Sequence, residues 1–97
     1  MLNISQAIDL YLLLGNFVPT DKSNMDILDF ISIIIGNIKD SDRPEAFGEA
    51  IMLMHDIGID ELKDKEPHET IELFARGLIE NKALSLFSFC EQLWPTK

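Results

Sequence analysis

Apolar residues recur every three to four positions along most of the chain, the spacing typical of amphipathic α-helices. The pattern is clearest in SNMDILDFISIIIGNI, residues 23–38. It predicts a helix over about residues 24–38, with Ser23 as its N-cap and the polar stretch from Lys39 to Asp42 as its end. No other segment is as long and as apolar, so we expect the remaining helices to pack around it. Its apolar stripe consists of Ile27, Leu28, Phe30, Ile31, Ile34, Ile35 and Ile38.

The preceding helix is predicted over Ser5–Leu14, with Asn3 or Ser5 as its cap and Gly15-Asn16 as a left-handed stop. Apolar residues cover more than half of its circumference, which predicts burial on most sides. They are Ala7, Ile8, Leu10, Tyr11, Leu12 and Leu14.

Prolines indicate the starts of two later helices, because proline fits the first helical turn. One begins near Pro44 and ends at Gly58, and the other begins at Pro67 and stops at Asn81. A short turn or helix is expected between them at residues 60–64. The two stripes are Ala46, Phe47, Ala50, Ile51, Leu53 and Met54, and then Ile71, Phe74, Ala75, Leu78 and Ile79.

The last helix is predicted from about Lys82 to Leu93, with Pro95 beyond its end. Its apolar face comprises Ala83, Leu86, Phe87, Phe89, Cys90, Leu93 and Trp94. Together the segments predict an all-α fold, a compact bundle of about five to six short helices. We expect a single helical domain over 1–97, and two helical sub-halves, 1–40 and 43–97, remain an alternative.

Composition narrows the function classes. Seventeen acidic and eight basic residues give a net charge of −9, which disfavours phosphate backbones and anionic lipids as partners. No uncharged apolar run is long enough to cross a membrane, and MLNISQ is not expected to be a signal peptide. Cys90 is the only cysteine, so no internal disulfide forms, which fits a reducing cytoplasm.

Candidate chemistry is sparse, and we expect no catalytic, cofactor or metal residue. His55 and Asp56 form a pair known from metal phosphohydrolases, but such sites need further histidines and aspartates, and only His68 remains. The stretch from Asp40 to Asp42 lacks the rest of a calcium loop. An enzyme using His55, His68 and Cys90 is the weakest alternative, because Cys90 is predicted to be a buried structural thiol.

Apolar residues at helix positions that are expected to face water are more informative about function than the candidate chemistry. Four predicted helices each have one apolar residue among polar neighbours, and the last helix has more aromatic side chains than a small core accommodates. Such residues mark partner surfaces when they form a patch, although single exposed apolar residues are common. The candidates for partner binding or self-association are Leu13, Ile33, Met52, Leu73, Phe89 and Trp94.

The second half of the chain resembles a known family. It contains DIGIDELKDKEPHETIELFARGLIENKALSLFSFCEQL, preceded by SDRPEAFGEAIMLM. These segments resemble small tail assembly proteins of long-tailed phages of Gram-positive bacteria, and more closely the tape measure protein chaperones of lactococcal-type siphophages. The pattern Pro-x-Glu-x-Ile-Glu-Leu-Phe, then Gly-Leu-Ile-Glu-Asn, is carried by Pro67, Glu69, Ile71, Glu72, Leu73, Phe74, Gly77, Leu78, Ile79, Glu80 and Asn81.

The resemblance implies a non-catalytic chaperone that binds apolar helical segments of the tape measure protein until the tail tube assembles. It also implies self-association into a ring or spiral, location in the cytoplasm of the infected host, and absence from the mature virion. It supplies no ligand residues. The alternative from composition is an acidic regulatory module, an anti-repressor or DNA mimic, that occupies a basic protein surface.

Overall fold

The computed structural model describes residues 2–19 and 25–93. In these ranges the chain forms six α-helices and one 3-10 turn, without a strand, so the predicted all-α bundle is confirmed. None of the described helices has the length and apolar character needed to cross a membrane. The elements are α1 (Ile4–Leu14), the 3-10 turn (Gly15–Phe17), α2 (Ile27–Lys39), α3 (Ala46–His55), α4 (Ile59–Lys63), α5 (Pro67–Glu80) and α6 (Ala83–Leu93).

A capping box starts α1 at the predicted residue Asn3. The Gln6 backbone N–H donates to Asn3 Oδ1 at 2.8 Å, and the Asn3 backbone N–H donates to Gln6 Oε1 at 3.1 Å. The predicted left-handed stop at Gly15 is wrong, because Gly15 has a right-handed φ of −54°. The backbone instead tightens into the 3-10 turn, in which the Val18 N–H donates to the Gly15 carbonyl.

The start of α2 lies later than predicted. The Asp26 carboxylate accepts a hydrogen bond from the Asp29 backbone N–H at 2.8 Å, so the helix begins at Ile27. Ser23, the predicted cap, lies outside the described residues. The helix ends at Lys39, close to the predicted end.

The start of α3 also lies later than predicted, and its end comes earlier. It begins at Ala46, two residues after Pro44. It stops at His55 because Asp56 adopts the left-handed conformation with φ 53°, which an aspartate tolerates. Gly58 therefore does not end α3 but precedes the first turn of α4.

The boundaries of α5 agree with the prediction. Pro67 occupies the first turn, and the Glu66 backbone N–H donates to Glu69 Oε1 at 2.9 Å. Asn81 ends the helix, where its side-chain amide donates to the Gly77 carbonyl at 2.8 Å. Asn81 Oδ1 also accepts the Leu2 backbone N–H at 3.0 Å, so this residue ties the first described segment to the α5–α6 junction.

The core is centred on α3. This helix contacts α1, α2, α4 and α5, whereas α2 packs against α3, α5 and the 3-10 turn. Thus α3, and not α2, occupies the central place. Its buried face contains two alanines, Ala46 and Ala50, four residues apart, which allow neighbouring helices to approach closely. The largest fully buried side chains around it are Phe30, Phe74 and Phe87.

Helices α3 and α5 approach closely at Gly77 of α5, opposite Met54 of α3. A methyl group on Gly77 would lie 2.7 Å from Met54 Sδ and 3.1 Å from Met54 Cβ, both inside normal contact distance. A methyl group on Gly36 of α2 would lie in open space, with no neighbouring atom within 4 Å. Substitution of Gly77 therefore tests the close packing, whereas substitution of Gly36 tests only the low helix propensity of glycine.

Gly77→Ala is expected to lower the free energy of unfolding by up to about 2 kcal/mol, because a steric cost of about 1–3 kcal/mol opposes a gain of about 1 kcal/mol in helix propensity. Gly36→Ala should raise it by about 0.5–1 kcal/mol, since only propensity changes there. Urea unfolding followed by circular dichroism measures both. Equal shifts in the same direction would contradict the close α3–α5 packing.

Candidate protein-interaction surface

An open apolar groove lies between α1 and α6. Its volume is about 160 Å³, and Cys90 belongs to its lining although it is buried. The exposed fractions of Ile4, Phe89 and Leu93 are 81%, 57% and 53%, which is unusual for large apolar side chains that lie together. We refer to it as the α1/α6 groove, defined by Ile4, Ala7, Ile8, Leu86, Phe89, Cys90 and Leu93.

The two helices that form the α1/α6 groove each carry a single charged residue. Asp9 is the only charged residue of α1 and Glu91 the only one of α6, and neither lines the groove. The other fifteen of the seventeen acidic residues lie elsewhere in the chain. A partner that enters this groove therefore meets apolar surface with few charges nearby, and little charge needs to be desolvated on contact.

Cys90 is unsuited to act as a nucleophile. The side chain is 3% exposed and the thiol is free. Burial raises the pKa of the Cys90 thiol, and the neighbouring Glu91 carboxylate raises it further. The thiol therefore stays protonated at neutral pH, in agreement with the prediction of a buried structural cysteine.

A second apolar groove lies beside α2 and α5. We refer to it as the α2/α5 groove, with a volume of about 300 Å³. Phe47 of α3 contributes to it and stacks on the fully buried Phe74, with ring centroids 4.7 Å apart. Ile71 is exposed at its edge. The lining residues are Ile35, Ile38, Lys39, Pro44, Phe47 and Ile71.

The candidate interaction residues from the sequence differ in exposure. Phe89 is exposed and lines the α1/α6 groove, and Ile33 is 37% exposed on α2. Trp94 lies outside the described residues. Met52 is half-buried, and so are Leu13 and Leu73, which pack against the core.

Leu13 and Leu73 are therefore only partly exposed to water. The reason is that both of their helices have neighbours on more than one side. α1 contacts α3, α6 and the 3-10 turn, and α5 contacts α2, α3 and α6. Which of the six candidates contacts a partner stays a prediction.

Sequence reasoning also missed exposed apolar residues. Leu12, Leu28, Ile71 and Ile79 were assigned to buried stripes, yet all four are exposed, Leu12 by 70%. The width of the predicted apolar stripes could have indicated this exposure. A helix on the surface buries only a narrow stripe, so the edges of a wider apolar stripe remain in water. Large apolar side chains exposed in the described residues are Ile4, Leu12, Leu28, Ile33, Ile59, Ile71, Ile79, Phe89 and Leu93.

The two histidines have structural partners. His55 Nε2 lies 2.7 Å from the Leu73 carbonyl oxygen, a contact that joins α3 to α5. His68 is exposed in the first turn of α5, with Nδ1 3.5 Å from Glu66 Oε2. Within residues 2–19 and 25–93, no group of three or more His, Cys, Asp or Glu side chains is placed to hold a metal ion.

One further depression, of about 200 Å³, has a polar lining that includes Lys65, Glu69 and Arg76. Arg76 and Glu72, four residues apart on α5, form an ion pair. Both side chains are more than half exposed, so the pair adds little to stability.

Comparisons with known protein families, with curated proteins and with solved structures find no match. Function is therefore inferred from the surface of this chain and from the family resemblance of its second half.

Cys90 in the native protein should react with Ellman's reagent at least about tenfold more slowly than in the urea-unfolded chain at the same pH. The raised pKa lowers the thiolate fraction, so the native rate should also begin to rise at a higher pH than the unfolded rate. Thiol release followed at 412 nm gives both profiles. Coincident native and unfolded profiles would contradict the burial of Cys90 beneath the groove.

Proposed function

We propose that this chain is a non-catalytic phage tail assembly chaperone, which binds an apolar helical segment of the tape measure protein in the α1/α6 groove. The observation that carries the proposal is the groove itself, with Ile4, Phe89 and Leu93 exposed on nearly uncharged helices. The family resemblance of the second half of the chain supplies the identity of the client.

The shape of the groove favours a helix as its occupant. Apolar helices commonly dock between two helices through side chains spaced three and four residues apart. A volume of about 160 Å³ is below the range of about 300–1,000 Å³ typical of small-molecule sites. A groove of this volume can hold individual apolar side chains of a partner, but it is small for a substrate molecule.

The expected affinity is moderate. Full burial of one Leu, Ile or Phe side chain contributes about 1.5–3 kcal/mol, and three or four such groups can outweigh the costs of association. Micromolar binding corresponds to about −8 kcal/mol. Such an affinity allows the client to leave when it packs into a growing tail, which a chaperone requires.

The acidic charge has a separate role in this proposal. A protein that exposes this many apolar side chains tends to associate nonspecifically, and a net charge of −9 opposes that association through mutual repulsion. The charge is concentrated outside α1 and α6, so it protects the free chain while leaving the groove accessible.

The remaining parts of the proposal come from the resemblance. Copies of the chain would associate into a ring or spiral, act in the cytoplasm of the infected host, and be absent from the mature virion. A non-catalytic role is supported by the protonated state of Cys90 and by the structural contacts of His55.

Phe89→Gln is expected to reduce the amount of soluble tape measure protein obtained on co-expression, and to weaken binding of its apolar helical peptides by at least about tenfold. An aromatic anchor in a groove typically contributes 2 kcal/mol or more. Ile59→Gln is the matched control, because Ile59 is 51% exposed on α4 and lines neither groove. Soluble fractions on gels and calorimetric titration provide the readouts.

A wild-type chain that leaves the client insoluble, or a Phe89→Gln variant as effective as wild type, would contradict the proposal. Binding that disappears at high salt but survives Phe89→Gln would favour the acidic regulatory module instead.

A further inference from the structure

The seven residues that line the α1/α6 groove differ in size. Ala7 of α1 and Cys90 of α6 are the two smallest, and the other five are leucine, isoleucine or phenylalanine. Ala7 is half-buried and Cys90 is buried. Among the larger residues, Ile4, Phe89 and Leu93 are exposed. The two small side chains therefore lie at the floor of the groove, and these three large side chains form its rim.

Ala7 and Cys90 lie on the helix faces that α1 and α6 turn towards each other. The buried rings of Tyr11 on α1 and Phe87 on α6 meet edge to face, with centroids 5.8 Å apart. Ala7 precedes Tyr11 by four residues, and Cys90 follows Phe87 by three. Residues three or four apart share one face of a helix, so each small residue shares a face with one of the two rings. The space of the groove is therefore present where small side chains continue these faces.

The volume of the groove determines how much of a partner it can accept. It is about 160 Å³. An apolar cavity of about 150 Å³ holds one benzene ring. The α1/α6 groove thus has room for one side chain of the size of phenylalanine or leucine. The neighbouring side chains of a docked helix, one turn away in either direction, remain at the rim.

We propose that the α1/α6 groove accepts a single large apolar side chain of the client helix, and that Ala7 and Cys90 limit the size of that side chain. The client residues one turn before and after it contact Ile4, Phe89 and Leu93 at the rim. A larger residue at a floor position would occupy the space that the client needs. This selectivity rests on the proposed function, because it specifies the feature of the client helix that the groove recognises.

Three synthetic peptides test the size limit. They share one amphipathic helical sequence with an alanine stripe, and they differ only at the centre of the stripe, which carries phenylalanine, leucine or alanine. Because the stripe holds no other large side chain, a shift along the groove cannot replace the central residue. In NMR titrations of the labelled chain, the phenylalanine and leucine peptides should bind at least about tenfold more tightly than the alanine peptide.

Variants of the chain locate the limit at the floor of the groove. Ala7→Leu should reduce the affinity for the phenylalanine peptide at least about tenfold, to that for the alanine peptide, because the new side chain fills the floor. The smaller Ala7→Val should give an intermediate loss. Ala75→Leu is the matched control, because Ala75 is also half-buried but lies on α5, outside this groove. It should retain the wild-type preference, and circular dichroism checks that each variant keeps its helical fold.

Two results would overturn the inference. One is a wild-type affinity that does not depend on the central residue of the peptide. The other is an Ala7→Leu variant that still prefers the phenylalanine peptide, or an Ala75→Leu variant that loses the preference to the same extent. The chaperone proposal fails on a different readout, the solubility of the tape measure protein on co-expression. A chain that keeps this client soluble but shows no size preference refutes only the inference.

Discussion

The structure depends on how much apolar surface one small bundle can bury. A chain of 97 residues buries about 60–70% of its unfolded surface, and here that burial is centred on α3. Phe30, Phe74 and Phe87 fill the space around it. On the outer helices, the apolar stripe is wider than the face that packs against this core. The apolar residues at the edges of each stripe therefore remain exposed to water.

The exposed apolar residues of α1 and α6 lie apart in sequence from most of the charge, whereas five of the nine exposed large apolar residues in the described part of the chain lie on α2, α4 and α5. α1 and α6, far apart in sequence, lie together and form a groove with almost no charge, while the helices and loops between them carry most of the carboxylates. In the proposed function, repulsion through the charged elements would keep free copies apart, while Phe89 and Leu93 in the α1/α6 groove would contact the partner.

The sequence predicts the helices well because their signals are local. Asn3 begins α1, Pro67 begins α5 and Asn81 ends it, each through hydrogen bonds or backbone angles that a few neighbouring residues determine. Nearby residues in the sequence do not determine which edge of a wide apolar stripe is exposed, because this depends on the neighbouring helices. Hence Phe89 was identified as a surface candidate and is exposed, Leu13 is only partly exposed, and Leu12 was missed.

The central claim is that the groove between α1 and α6 is the binding surface for an apolar helix. The most direct measurement is an NMR titration of the isotopically labelled chain with an apolar helical peptide from the tape measure protein. The account predicts that amide shift changes concentrate at Ile4, Ile8, Phe89, Leu93 and their neighbours, and persist at high salt. Shift changes confined to α4 and the acidic loops, or no changes at peptide concentrations above millimolar, would contradict it.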